Sequence, residues 1–167
     1  IVYRNGDVYD GEFTADQPGG KGFLSFFASK NTFWGDMRGG KMHGKGLFRF
    51  GKTGSTYEGQ FVENYFQGVG LMKIMHPPKF NSGKNRREER PSSSSLTSFS
   101  MNMYKGRFFK SMKHGQGVFR WNVYLTSPDR SLENVYRGEF YCDMCQGEGS
   151  MDYGAAGHRY EGSWFQN

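Results

Sequence analysis

The sequence predicts an all-β protein, an elongated, curved, single-layer antiparallel sheet built from tandem β-hairpins. Three observations favour this class. A short frame, aromatic-x-Gly-x-aromatic followed by Gly-x-Gly, recurs along the chain. Residue types alternate with a period of two inside each copy, which is a strand pattern. Only 35% of the 167 residues are hydrophobic, yet 17% are aromatic and 25 are glycine, so rings packed on glycines would replace a large core.

The frame occurs five times in full, and its first half occurs a sixth time. Nine residues separate its first glycine from Gly-x-Gly in all five complete copies, and consecutive copies without an insertion are 24 residues apart. Such a fixed period indicates a repeat array. The first glycines of the six copies, to which we assign a structural role, are Gly11, Gly35, Gly59, Gly106, Gly138 and Gly162.

Each copy predicts one β-hairpin. In the third copy Tyr57, Gly59 and Phe61 share one parity, and the turn-like segment at 63–65 precedes a second strand. Successive hairpins would pair edge to edge into a twisted sheet, and six units at about 10 Å each would span roughly 55–60 Å. A strand glycine leaves a slot on the sheet face, across which we expect an aromatic ring from a neighbouring strand to lie.

Two insertions break the period, one of 23 residues after Ile74 and one of eight after Trp121. They divide the chain into 1–74 (a strand remnant and three units), 75–103 (a basic, Ser/Pro-rich insertion) and 104–167 (units four and five and half of the sixth). The stretch from 76 to 113 holds nine Lys/Arg against two Glu, whereas the rest holds 13 against 14. The net charge of +6 is therefore local and does not argue for nucleic-acid binding.

Four segments closely resemble the MORN repeat (membrane occupation and recognition nexus). Two of them contain Tyr-Glu-Gly, at 57–59 and at 160–164, where an aromatic residue follows, and two contain His-Gly-x-Gly, at 43–46 and 114–117. The chain departs from that pattern at Phe33-Trp34, in place of Tyr-Glu, and at Met37, in place of the second aromatic. The resemblance implies a curved hairpin array that acts as a protein-binding scaffold and has no chemistry of its own. Such arrays occur in cytoskeletal and ciliary proteins, in junctional tethers and beside catalytic domains, and phosphoinositide binding has been proposed for them.

The leading hypothesis is a non-catalytic, cytoplasmic scaffold that binds protein partners in a cytoskeletal or ciliary axonemal assembly. A single sheet cannot cover its own face, so some ring surface would stay open as a groove, and an amphipathic helix of a partner would suit that groove. The candidate contact residues on this aromatic face are Tyr57, Phe61, Met72, Tyr104, Phe108, Phe119, Tyr136 and Phe140.

Two alternatives stay open. One is a peripheral membrane-tethering module that reads phosphoinositides or other anionic phospholipids, because clusters of basic residues attract anionic membranes at about 1 kcal/mol per charge. Its candidate residues are Lys79, Lys84, Arg86, Arg87 and Arg90. Phosphorylation of the serines at 92–95 would lower this positive charge. The other alternative is an accessory array of a larger enzyme. Unpaired strand edges would also permit edge-to-edge homodimers or larger assemblies.

The sequence predicts no catalytic residue, no cofactor and no metal site. None of the Gly-x-Gly copies continues as a dinucleotide-binding fingerprint. Cys142 and Cys145 have C-x-x-C spacing, but no second pair completes four zinc ligands, so a plain turn is favoured over a zinc or redox site. His43 and His114 recur at equivalent positions, which favours a turn or packing role. Two cysteines favour a reducing compartment, and the chain lacks an apolar run long enough to span a membrane.

Overall fold

The protein, seen here in a computed structural model that describes residues 1–76, 100–124 and 133–165, forms one open antiparallel sheet. Each strand pairs with the next one in sequence, so the spatial order runs from β1 to β11. A three-residue 3-10 turn, Gly154–Ala156, is the one helical element in the described ranges. The strands are β1 (Val8–Thr14), β2 (Gln17–Ser25), β3 (Thr32–Arg38), β4 (Lys41–Arg49), β5 (Thr56–Val62), β6 (Tyr65–His76), β7 (Ser100–Phe109), β8 (Met112–Tyr124), β9 (Asn134–Tyr141), β10 (Met144–Tyr153) and β11 (His158–Trp164). The expected all-β class and antiparallel hairpin array are confirmed.

Each complete unit is a hairpin closed by a two-residue turn, and both turn residues have positive φ. Turns of this kind have the twist that adjacent antiparallel strands require. In the third unit the turn residues are Glu63 and Asn64, with φ of 51° and 72°. The five turns consist of the residue pairs 15–16, 39–40, 63–64, 110–111 and 142–143.

An unbroken row of glycines crosses the whole sheet, one glycine on each of the eleven strands. The six glycines predicted to be structural lie in this row, and the second glycine of each Gly-x-Gly fills the places between them. The row consists of Gly11, Gly22, Gly35, Gly46, Gly59, Gly70, Gly106, Gly117, Gly138, Gly149 and Gly162.

The first glycine of each Gly-x-Gly has a different role, because it adopts positive φ. At Gly68, where φ is 61°, the register between β5 and β6 shifts. The shift places Phe66, two residues before this glycine, opposite Phe61. Left-handed backbone at a bulge is most accessible to glycine, which accounts for this half of the motif. The equivalent glycines are Gly20, Gly44, Gly115 and Gly147.

The second turn residue of a hairpin joins its unit to the preceding one. The Asn64 N–H donates to the Met42 carbonyl oxygen at 3.0 Å, and the Met42 N–H donates to Asn64 Oδ1 at 2.9 Å. Asp143 makes the same two contacts with Lys113, each at 3.0 Å. Gly40 contacts Pro18 through its N–H alone, since proline has no N–H that would require an acceptor. These paired hydrogen bonds fix the position of each hairpin relative to its neighbour.

The sheet is continuous from the third unit to the fourth. Strands β6 and β7 pair at nine positions, from Gly68 opposite Phe108 to His76 opposite Ser100. Residues 75, 76 and 100–103, which the sequence placed in the basic insertion, therefore belong to strands, because edge-to-edge pairing extends beyond the repeat frame. The predicted lipid-contact residues at 79–90 and the serines at 92–95 lie outside the described residues.

Candidate partner-binding faces

The first aromatic residue of a unit lies across two glycines of the row. A Cβ atom built on Gly59 would lie 2.5 Å from Tyr57 Oη, and one built on Gly70 would lie 2.6 Å from the same atom. The Tyr57 hydroxyl donates to the Gln60 carbonyl oxygen at 2.9 Å. Residues two apart on a strand face the same side, so Tyr57 covers Gly59 from the same strand and not, as expected, from a neighbouring one. It covers Gly70 from the neighbouring strand. Tyr9, Tyr104, Tyr136 and Tyr160 repeat this hydrogen bond.

The second aromatic residue of a unit connects its own first ring to the first ring of the preceding unit. The Phe108 ring centroid lies 5.0 Å from that of Tyr104 and 4.9 Å from that of Tyr57, and both contacts are edge-to-face. Aromatic pairs of this geometry contribute about 0.5–1.5 kcal/mol beyond the area that they bury. The continuous series, here called the ring ladder, consists of Phe33, Phe61, Tyr57, Phe108, Tyr104, Phe140, Tyr136, Trp164 and Tyr160.

From the second to the fifth unit the rings of the ladder cover one another. Seven of the eight residues predicted to line an open groove are buried, and the eighth, Met72, is half-buried. The ring surface that was expected to stay open is therefore not at these seven positions, because each hairpin lies close enough to the next for the rings to cover one another. That a partner contacts them stays a prediction. The buried seven are Tyr57, Phe61, Tyr104, Phe108, Phe119, Tyr136 and Phe140.

A second line of apolar side chains on the same face is only partly covered. Trp121 packs with its ring centroid 4.3 Å from that of Phe119, and Phe50 lies 5.0 Å from Phe48 by the same measure. Each residue of this line lies four positions after the second glycine of its unit's Gly-x-Gly, on the same face of the sheet. These residues were not among those predicted to line the groove, although an apolar residue at the same position in all five units could have indicated them. We call this line the rim, which consists of Phe26, Phe50, Ile74, Trp121 and Tyr153.

At the end of the rim nearest β11 lies an open depression of about 350 Å³. Trp121, Tyr153 and Trp164 are among the side chains that line it. An ion pair between Lys113 Nζ and Asp143 Oδ1, at 2.7 Å, lies at its edge. This part of the face can accept a large apolar side chain, with charged groups available at one side.

Three tyrosines of the ring ladder, Tyr57, Tyr104 and Tyr136, are neutral hydrogen-bond donors near physiological pH. Burial raises the pKa of Tyr57 and of Tyr136 to about 12, and it also raises the pKa of Tyr104. These tyrosines are therefore not available as proton donors or acceptors for a reaction near physiological pH.

The two cysteines and the two repeated histidines lie in separate settings. Cys142 is in a hairpin turn, whereas Cys145 is buried on β10, where burial raises the pKa of its thiol. The His114 ring packs between Phe109 and Tyr141, with centroid distances of 5.7 and 5.3 Å. In the described ranges, no three His, Cys, Asp or Glu side chains are grouped closely enough to hold a metal ion.

A model of the MORN repeat matches residues 9–27, 35–54, 57–73, 104–124 and 136–154, which is more than half of the chain. The chain belongs to the MORN-repeat family, and the expected family is confirmed. Over its whole length it is also similar to Alsin from Rattus norvegicus, with 29% identity across 171 aligned positions, and to Alsin from Mus musculus and Homo sapiens, each with 28% identity. The chain spans 9% of the length of these relatives.

No helix within 1–76, 100–124 and 133–165 is long and apolar enough to cross a membrane.

Proposed function

We propose that the chain is a non-catalytic array that binds a segment of a protein partner along the rim. The observation that supports this is the repetition of a partly exposed apolar side chain at the same place in each complete unit. Successive units are two strands apart, which places these side chains about 10 Å from one another. An α-helix rises 1.5 Å per residue, so apolar residues about seven positions apart on one helix face would meet successive rim positions.

The ring ladder gives the rim a fixed shape before a partner arrives. Trp121 and Phe50 pack against buried rings, so they lose little side-chain freedom on binding. Because immobilising a flexible side chain costs about 0.5–1.5 kcal/mol, such a preformed surface favours affinity. Under this proposal the ladder stabilises the array and the rim binds the partner.

The array works as one module of a longer cytoplasmic protein in a cytoskeletal or ciliary assembly. The occurrence of the family in such assemblies supports this setting. The small share of its relatives that the chain spans, 9%, supports the role of a module and also supports the alternative of an accessory array beside a catalytic domain. Membrane tethering through residues 79–90 stays a prediction, and sedimentation with phosphoinositide vesicles tests it.

Photo-crosslinking tests the rim without removing packing. Benzoylphenylalanine replaces Phe50, which lies on the rim, in one variant and Tyr141, an exposed aromatic residue outside the rim, in the matched control. In lysate of ciliated cells, we expect the Phe50 variant to form discrete crosslinked protein bands that the Tyr141 variant does not form. Equal crosslinking from the two positions, or none from Phe50, contradicts the rim as the binding surface. Circular dichroism of each variant establishes that the sheet is intact.

A further inference from the structure

The face of the sheet opposite the ring ladder carries large apolar side chains that are open to solvent. Phe23 pairs with Trp34, and Trp34 pairs with Leu47, on three successive strands. Trp34 is 61% exposed, Leu47 is 42% exposed and Val69 is 58% exposed. A contiguous apolar area of this kind on a water-exposed sheet commonly marks an interaction site.

These side chains surround an open depression of about 700 Å³. Trp34, Leu47 and Leu71 are among the side chains that line it, and the backbone of the glycine row is exposed within it at positions 46, 59 and 70. A ligand side chain placed there would contact apolar groups laterally and main-chain atoms beneath. The depression therefore suits individual protruding apolar side chains better than a flat surface such as a bilayer.

The same part of this face is strongly basic. Strands β4 to β7 contribute five cationic side chains and one acidic side chain, that of Glu58, to it. None of the five cations forms an ion pair within the described part of the chain, whereas on β10 and β11 Arg159 pairs with Asp152 and Glu161. The five cations are Lys45, Arg49, Lys73, Lys105 and Arg107.

We propose that this surface, the basic apolar patch formed by Trp34, Lys45, Leu47, Val69, Leu71 and Lys105, binds an acidic segment of a partner protein that carries two or three large apolar residues. Lys45 on β4 and Lys105 on β7 are three strands apart, or about 14 Å. Carboxylates at the two ends of a short segment pair with these lysines, and the apolar residues between them enter the depression. Charge complementarity steers such a partner to the face and excludes basic sequences.

This site is independent of the rim, because it lies on the other side of the sheet. Lys45 and Leu47 alternate with Gly46 along β4, whereas Phe48 and Phe50 of the same strand and its extension point to the ring ladder. Variants on one face therefore leave the other face unchanged, and each binding proposal can fail without the other.

A random 14-residue peptide library displayed on phage, selected on the immobilised chain, tests the proposal. We expect enriched peptides to contain an excess of Asp and Glu with at least two large apolar residues. A fluorescein-labelled peptide from the selection should bind the Lys45→Glu/Lys105→Glu variant at least 10-fold more weakly than the unmodified chain, and Trp34→Ala should weaken binding by a similar factor.

The matched control is Lys52→Glu/Lys110→Glu, which makes the same charge change at two exposed positions outside the patch. Residue 110 suits glutamate, because the equivalent turn position of the third unit is Glu63. The control should bind the peptide within twofold of the unmodified chain. Enrichment of neutral or basic peptides, or an equal loss in both double variants, overturns the proposal. So does sedimentation with phosphatidylserine vesicles that depends on Lys45 and Lys105 and that the acidic peptide does not inhibit.

Discussion

Gly59 and Tyr57 show how two residues replace a conventional core. The glycine lacks a Cβ atom, the ring occupies the space, and the ring hydroxyl satisfies a backbone carbonyl at the bulge. The two glycines of Gly-x-Gly differ in the same physical terms. Gly68 supplies positive φ, whereas Gly70 supplies space beneath the ring. A substitution at either position is expected to be costly, but for different reasons.

Gly59→Ala should lower the free energy of unfolding by about 1–3 kcal/mol, the usual cost of overpacking. The added methyl carbon would lie 2.7 Å from the Cα of Gly70, a backbone atom, as well as against the Tyr57 hydroxyl, so the strand or the ring must move. Gly59→Val should cost more. Urea denaturation measures both, and Glu58→Ala, a change at an exposed neighbour, is the control. A Gly59→Ala variant as stable as the control would show that the ring does not need this space.

The buried tyrosines make the array sensitive to alkali. The folded state raises the pKa of Tyr57 and Tyr136 to about 12, above the usual value of 10.0, so folding favours the neutral hydroxyls. Their contribution to stability is complete below pH 10 and is lost as the pH rises through about 12. A titration of tyrosinate absorbance should show a late-ionising group that coincides with loss of β-sheet circular dichroism. Ionisation of all tyrosines near pH 10 with the sheet intact would contradict this.

Within and between hairpins, two structural features determine the position of each unit relative to its neighbour. The bulge at the left-handed glycine changes the register within a unit, and the second turn residue is hydrogen-bonded to the unit before it. Turn residues that look variable in sequence are therefore matched to a neighbour. The side chains of Asn64 and Asp143 each accept a hydrogen bond from a backbone N–H of the preceding unit. Gly40 has no side chain to accept one and lies opposite a proline, which has no N–H to donate.

Asn64→Ala should destabilise the array by about 1–2 kcal/mol, because the buried Met42 loses the acceptor for its N–H and alanine is strained at positive φ. Asn64→Asp keeps the acceptor, as Asp143 does in the fifth unit, and should stay within about 0.5 kcal/mol of the unmodified chain. Thermal unfolding separates the two variants. Equal melting temperatures would mean that the turn does not hold the preceding unit.

The repeat frame was sufficient to predict the hairpins and their antiparallel pairing, because period-two alternation and turn residues are local signals. The burial of Tyr104 and Phe108 could not be derived in this way. The period-two alternation shows on which face of the sheet a residue lies. Whether its side chain is buried depends on how closely successive hairpins approach each other. The register shift that brings Phe66 into contact with Tyr57 depends on the left-handed glycine, and the parity of the strands does not reveal it.

At the scale of the whole molecule, the array has two faces with different surfaces. The ring face is covered by its own ladder and offers the rim, whereas the opposite face is open, apolar and basic across β4 to β7. Under the two binding proposals the array would hold two partners at once, because neither surface includes side chains of the other. The continuous pairing of β6 with β7 means that the surfaces on either side of the long insertion move together.

The glycine row and the ring ladder continue across the long insertion, so the units on both sides of it belong to one sheet. Trp34 in the second unit, Trp121 in the fourth and Trp164 in the sixth are natural reporters along its length. Three variants, each retaining one tryptophan and carrying phenylalanine at the other two positions, are unfolded in urea and followed by fluorescence. We expect the midpoints for Trp34 and Trp121 to coincide, and to separate once Phe108→Ala removes the ring between Tyr57 and Tyr104. Distinct midpoints for Trp34 and Trp121 with Phe108 in place would contradict this expectation, because they would show two independent arrays.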